Sequence, residues 1–319
     1  MIGDTLMVSI FKTEHNIIKE LDDFEDGIWV QMINPSSKEL NEIADYYEIE
    51  IEDLATAMDD EESSRISLED GYTLILVDIP TPEVRHEKKM YTTIPLGIIL
   101  KDGVIITVCR EDTPILQYFI RNRVKDLSTK KKMRFIYQVL FRSATLYQAY
   151  LRGIDKKRVE IEERIDGNTQ DVDLIELHEL ESTLVYFATS LRSNIVVIER
   201  LGRYKRIEQY PEDMDLLEDV SVEYHQAIEM TAIYRDIIDG TRELLSSVID
   251  NRLNNVMKYL TSITIVMAIP TIISGIYGMN VEGKWMPLSD TPHGFTIICG
   301  IILAVCIITL IFLRKKKML

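Results

Sequence analysis

Asn280 follows Tyr277-Gly278-Met279 at the end of an uncharged stretch, Tyr259 to Tyr277, and so sets a carboxamide where a membrane helix would meet water. An amide suits Mg²⁺, which releases its waters reluctantly and is held through them at several oxygens. A ring of carboxylates would bind such an ion more tightly and hinder its exit. Upstream, Asn254, Met257, Leu260 or Thr261, Thr264, Ala268, Thr271, Gly275 and Gly278 recur every three or four positions and describe one helical stripe. It begins polar, turns apolar at Met257 and Leu260, and then carries hydroxyls. Two arrangements use such a stripe. Small residues let helices pack closely, or polar rings hold a hydrated ion while an apolar ring gates by dewetting.

Other chemistry finds little support. No Walker A pattern, no GxGxxG after a strand, no HExxH and no CxxC occurs, and the histidines (His15, His86, His178, His225, His293) are scattered. The chain is therefore not expected to be an enzyme. Cys109, Cys299 and Cys306 show neither zinc nor disulfide spacing and read as structural. The net charge is −16, from 36 basic and 52 acidic residues. Seven of the basic and two of the acidic residues lie from Arg252 onward, which leaves −21 before it. A field of that sign repels nucleic acid and attracts cations.

Two elements must hold the stripe in a bilayer. Tyr259–Tyr277 and Phe295–Leu313 are each 19 residues without a charge, close to the roughly 20 that span about 30 Å of hydrocarbon. Arg252 and Lys258 precede the first, Arg314 to Lys317 follow the second, and the 17-residue connection holds Lys284 against Glu282 and Asp290. The positive-inside rule puts both termini in the cytoplasm of a multi-pass cell-membrane protein, with the short loop outside. Met1-Ile2-Gly3-Asp4 lacks the basic and apolar regions that export requires, so no signal peptide is expected.

Before the spans, Leu6–Phe11, Ile28–Ile33, Tyr72–Ile79, Tyr91–Leu100 and Val104–Cys109 read as strands, the last two joined by a hairpin at Lys101-Asp102-Gly103. Ser36–Tyr47 fits a serine-capped helix, and Ile51–Met58 continues that character. This predicts an α/β domain with a mixed or antiparallel sheet. Long helices follow over Lys130–Ile165 and Asp171–Tyr204, joined by an acidic turn at 166–170. Around the turn cluster Glu160, Glu162, Glu163, Asp166, Asp171, Asp173 and Glu176, either a solvated tip or a cation-attracting antenna. After Pro211 an apolar seam runs unbroken into the first span, so Met214–Tyr277 predicts one rod of about 96 Å that needs lateral partners.

With these residues in view, the sequence resembles the CorA magnesium channel family. The likeness lies in Tyr277-Gly278-Met279-Asn280, the short loop with Met286-Pro287, the final span and basic tail, the run Asn255–Thr261, the stretch Pro270–Tyr277, and Trp29 in an early strand. The resemblance implies a funnel-shaped homopentamer with an α+β cytoplasmic domain, a long helical stalk and two C-terminal transmembrane helices. The corresponding segments are 1–128 (α/β domain), 129–212 (antiparallel helices), 213–277 (stalk and pore helix), 278–294 (outer loop), 295–313 (second span) and 314–319 (tail). It implies passive, potential-driven Mg²⁺ influx, with Co²⁺ and Ni²⁺ tolerated. Gly278, Met279 and Asn280 would form the selectivity filter, Asn254 and Thr271 polar rings, and Met257 and Leu260 the hydrophobic gate. Regulatory Mg²⁺ would bind between subunits at Asp219 and Asp70, with a further acidic ring at Glu243. Two departures stand out: Ala268 replaces a usually bulky gate residue, and the outer loop offers Glu282 with Lys284 opposing it. A Zn²⁺ transporter of the related ZntB type and a non-conducting, membrane-anchored sensor are the alternatives.

Overall fold

The computed structural model describes residues 8–85, 88–168, 171–203, 210–282, 285–288, 291–316 and 318. They divide into two compact units, 1–242 and 243–319. The first unit is built on a seven-stranded sheet: β1 (Val8–Glu14), β2 (Ile17–Leu21), β3 (Ile28–Ile33), β4 (Arg65–Leu68), β5 (Tyr72–Arg85), β6 (Lys88–Lys101) and β7 (Val104–Cys109). Their order is β2-β1-β3-β7-β6-β5-β4. Only β3 and β7 run parallel, so the sheet is mixed.

Alternation along β3 explains the two-sided burial. Ile28, Val30 and Met32 join one core with Leu40, Ile43 and Ala44 of α1 (Ser37–Tyr47) and Leu54 of α2 (Ile51–Ala55). Trp29, on the other face, is fully buried among Phe11, Phe135 and Phe119 at centroid distances of 5.0, 5.2 and 6.4 Å. Its indole N–H donates to Thr107 Oγ1 at 2.8 Å. Ser36 caps α1 through a reciprocal box with Glu39, as the sequence predicts. Gly103 turns the β6–β7 hairpin at φ +77°, where an added Cβ would collide with the Asp26 carboxylate.

Three features depart from the sequence expectation. β5 and β6 are 14 residues each: β5 runs well past Ile79, through Pro80 and Pro82, and β6 starts at Lys88 rather than Tyr91. β2, β4 and the short α3 (Pro114–Ile120) were not foreseen. The first strand runs past Phe11 to Glu14, while Leu6 and Met7 of the expected strand lie outside the described residues.

Two long helices cover the aromatic side of the sheet: α4 (Lys132–Asn168) and α5 (Asp171–Gly202). The acidic cluster near their ends is partly neutralised. Arg164 pairs with Asp173 at 3.0 Å and Glu176 at 3.2 Å, and Arg158 pairs with Asp155 and Glu162, which weakens the antenna reading. Residues 169–170 of the expected turn lie outside the described residues. The next helix, α6 (Pro211–Tyr277), starts three residues earlier than the seam suggested. Pro211 opens it with a preset φ, and the Asp213 carboxylate accepts the Tyr210 N–H at 3.2 Å. Asp213 and Glu212 also hold Arg134 of α4 at 2.8 and 2.7 Å, placing negative charge at the helix N-terminus where it is favourable.

The second unit contains the C-terminal part of α6 and α7 (Gly294–Lys315). Both helices are long and apolar enough to cross a membrane.

Candidate functional site

One hydrogen bond and a row of half-buried side chains mark the face of α6 that meets α7. Ser262 is fully buried and donates to the Met318 carbonyl at 3.1 Å. Lys258, Val266, Ile269, Ile273 and Tyr277 are half-buried at the same helical spacing. At about 100° per residue, the stripe from Asn254 to Gly278 falls on nearly the opposite side. All its members are exposed except the half-buried Ala268; Met257 is 53% and Leu260 58% accessible. Within the chain, then, the small and hydroxylated residues do not serve to pack α6 on α7.

Three hydroxyls on and beside the stripe are already satisfied as donors. Thr264 donates to the Leu260 carbonyl at 2.8 Å and Thr271 to Met267 at 2.9 Å; Ser274 donates to Thr271 at 3.3 Å. This back-bonding turns each hydroxyl's proton inward along its own helix. Lone pairs remain for a water or an ion outside. A stripe of acceptors repels anions and orients water as a cation's shell requires.

The helix then ends abruptly. Gly278 N–H donates to Ser274 at 2.9 Å and Met279 N–H to Ile276 at 3.3 Å, the tightening that closes a last turn. A Cβ at Gly278 would press on the Ser274 carbonyl at 3.3 Å. Tyr277 hydroxyl donates to the Pro287 carbonyl at 2.7 Å and fixes the loop beside the helix tip. Asn280 is exposed, and its carboxamide makes no hydrogen bond among the described residues. Glu282 is exposed nearby, while Lys284 and Asp290 lie outside the described residues.

Pro270 sits inside α6 and has no N–H to give the carbonyl four residues back. That carbonyl belongs to Val266, and the Cys306 thiol of α7 approaches it at 3.9 Å. The cysteine expected to be a plain small hydrophobe thus supplies the donor that proline removed. No spacing in the sequence links positions 306 and 266.

Asp70, Asp219 and Glu243 are each exposed, and no three His, Cys, Asp or Glu among the described residues converge on a common point.

A buried polar joint escaped the sequence reading. Asn194 of α5, fully buried, accepts the Asp78 backbone N–H at 2.9 Å and donates to the Asp78 carbonyl at 2.7 Å. Tyr147 of α4 adds a bond to that carbonyl at 3.1 Å, and Asn194 reaches the Tyr224 hydroxyl of α6 at 3.5 Å. The described partners of β4 end at the pair Arg65 and Leu76, so the Asn194 amide continues the ladder as a missing strand would. An asparagine on a helix gives no sequence signal of this role.

Burial raises the Asp78 carboxyl above its ordinary 3.8, against the lowering pull of the Ser190 and Ser64 hydroxyls. The folded chain therefore holds this proton more tightly than the unfolded chain, and stability falls as pH rises through the raised value. Asp78→Asn is expected to raise the thermal midpoint at neutral pH. The gain should shrink and vanish as pH drops below the ordinary carboxylate value, in unfolding scans across pH. A variant destabilised at neutral pH would contradict this.

The comparisons with known proteins agree with one another. The family profile described as "CorA-like Mg2+ transporter protein" matches residues 24–315. The cobalt/magnesium transport protein CorA of Methanocaldococcus jannaschii is 26% identical over 323 residues, spanning 97% of this chain and 98% of its own length. The magnesium transport protein CorA of Helicobacter pylori is 22% identical over 331 residues, spanning 97% and 99%. Among solved structures, the complete CorA magnesium transporter from Methanocaldococcus jannaschii superposes with a TM-score of 0.81 at 25% identity, covering 98% of this chain and 99% of that one.

Proposed function

The chain belongs to the CorA-like Mg²⁺ transporter family, and we propose that it forms a membrane channel for passive, potential-driven Mg²⁺ influx that tolerates Co²⁺ and Ni²⁺. The observation that carries this reading is the acceptor-bearing stripe of α6, exposed opposite α7 and ending at the unengaged Asn280 amide. Copies of the chain, five by likeness to the family, would turn their stripes to a common axis. A hydrated divalent ion would meet Gly278, Met279 and Asn280 first, with Glu282 adding negative charge at the mouth. It would then pass polar rings at Thr271 and Asn254 on either side of an apolar gate at Met257 and Leu260. Ala268 leaves the middle of this path wide.

Both termini would lie in the cytoplasm, with 1–128 and 129–212 forming the cytoplasmic body. A membrane potential supplies about 2.3 kcal/mol per charge per 100 mV, hence about 4.6 for a divalent ion. No coupled energy source is required, and a brake is. Mg²⁺ bridging Asp219 and Asp70 of neighbouring copies, with Glu243 as a further acidic ring, would hold the gate shut until internal Mg²⁺ falls. Bound cation offsets carboxylate repulsion that otherwise spreads the subunits.

The test is uptake into proteoliposomes under an imposed diffusion potential, with Mg²⁺ and Zn²⁺ in direct competition. Saturable Mg²⁺ flux that follows the potential is expected. Preferential Zn²⁺ uptake would overturn the ion assignment, in favour of a ZntB-type carrier. Flux of neither ion would overturn conduction altogether and leave a membrane-anchored sensor.

A further inference from the structure

Four cations that form no ion pair among the described residues line a pair of adjoining cavities in the first unit, at the junction of α3, the following loop and α4. Arg121, Arg123 and Arg142 line one cavity of about 350 Å³. Arg123 and Arg142 also line the second, of about 340 Å³, together with Lys125. None of the four forms an ion pair among the described residues, although the chain carries 52 carboxylate residues against 36 cations. In a sequence with that excess, unpaired guanidinium groups in a concave site are conspicuous.

Arg142 is also held in place, whereas Arg121, Arg123 and Lys125 are exposed. Arg142 lies over the Tyr118 ring at 4.3 Å, and its buried Nε donates to nothing among the described residues. Gln138 gives its amide N–H to the Lys125 carbonyl at 2.9 Å, which leaves its buried Oε1 as an open acceptor beside the second cavity. The one acidic wall residue, Asp112, is engaged with the Gln117 amide at 2.9 Å. Guanidinium forks match phosphate oxygens in geometry as well as charge. The second cavity differs in character: Val124, Phe141 and Leu216 give it an apolar wall.

We propose that this double cavity binds a nucleoside polyphosphate, its phosphates on Arg121, Arg123 and Arg142 and its base against Phe141 and Leu216. Both volumes fall in the range of small-ligand pockets. An inorganic phosphate would use the cationic half alone, whereas a ligand with an anionic chain and a flat, donor-bearing body uses both. The site has no part in the conduction path, so its presence or absence is independent of the transport reading.

Titration calorimetry of ATP into the full chain in detergent, with Mg²⁺ chelated, tests this. Saturable binding is expected, weakened about tenfold or more by Arg123→Glu through loss of a charge-assisted hydrogen bond and reversal of charge. Arg142→Gln should weaken it as well. Arg192→Glu, on the exposed face of α5, should bind as the parent does. Absence of saturable binding, or equal affinity in Arg123→Glu, overturns the proposal. Equal affinity for inorganic tripolyphosphate overturns the role given to the apolar half.

Discussion

Asn280→Ala is expected to reduce potential-driven Mg²⁺ uptake by about a hundredfold or more while leaving the thermal midpoint unchanged. The side chain is exposed and makes no hydrogen bond among the described residues, so its removal takes nothing from the fold. On the proposed path its loss falls on the ion. One hydrogen bond to a charged group is worth about 1.5–3 kcal/mol, and a symmetric assembly loses one from every copy at once. The hydrated cation then meets a helix tip with no side-chain oxygen to replace bulk water. Asn280→Asp separates charge from geometry: tighter ion capture with slower passage is expected, because a carboxylate holds a divalent ion more strongly. Proteoliposome flux in an alanine variant equal to that of the parent would remove Asn280 from the path.

Trp29→Ala should lower stability by about 3–5 kcal/mol, a drop of some 6–20 °C in the unfolding midpoint at the roughly 2–4 °C per kcal/mol of a domain this size. Trp29 is fully buried, touches three aromatic rings and donates to Thr107. Deleting it opens a cavity between sheet and helices and leaves the Thr107 hydroxyl without its indole donor. Trp29→Phe retains a ring for Phe11 and Phe135, so a much smaller loss is expected. Circular dichroism melting of the full chain in detergent measures both. An alanine variant melting within a degree or two of the parent would mean that the neighbouring rings close the gap.

Where local rules decide the structure, the sequence was readable. The Ser36 cap, the Gly103 hairpin, the Ile28–Ile33 strand and the two apolar helices each rest on short-range chemistry. β5 shows where that fails. Its Pro80 and Pro82 signal a strand end, yet the strand continues because both share the parity of Asp78, whose N–H points away from β6. On that open edge a missing donor costs nothing. Recognising this requires knowing that β4 stops at Arg65 and that Asn194 supplies the next rung. β2 and β4 are five and four residues long, too brief for a periodic signal.

The stripe was legible by period, but its direction was not. Whether small residues face α7 or turn away depends on which side Ser262 and Val266 take, a tertiary fact. The paired cations at Arg123 and Arg142 are 19 positions apart and meet only through the α3–α4 connection.

The single peptide group lacking hydrogen at residue 270 makes the last turns of α6 a jointed finger. Below it every rung is braced; at it, a weak sulfur contact from the next helix stands in for the absent rung. Tilting there would swing the fingertip carrying Asn280 without unwinding anything, and on the proposed path that pivot would widen or narrow the mouth. The angle of that pivot would be set by the outer helix that grips it.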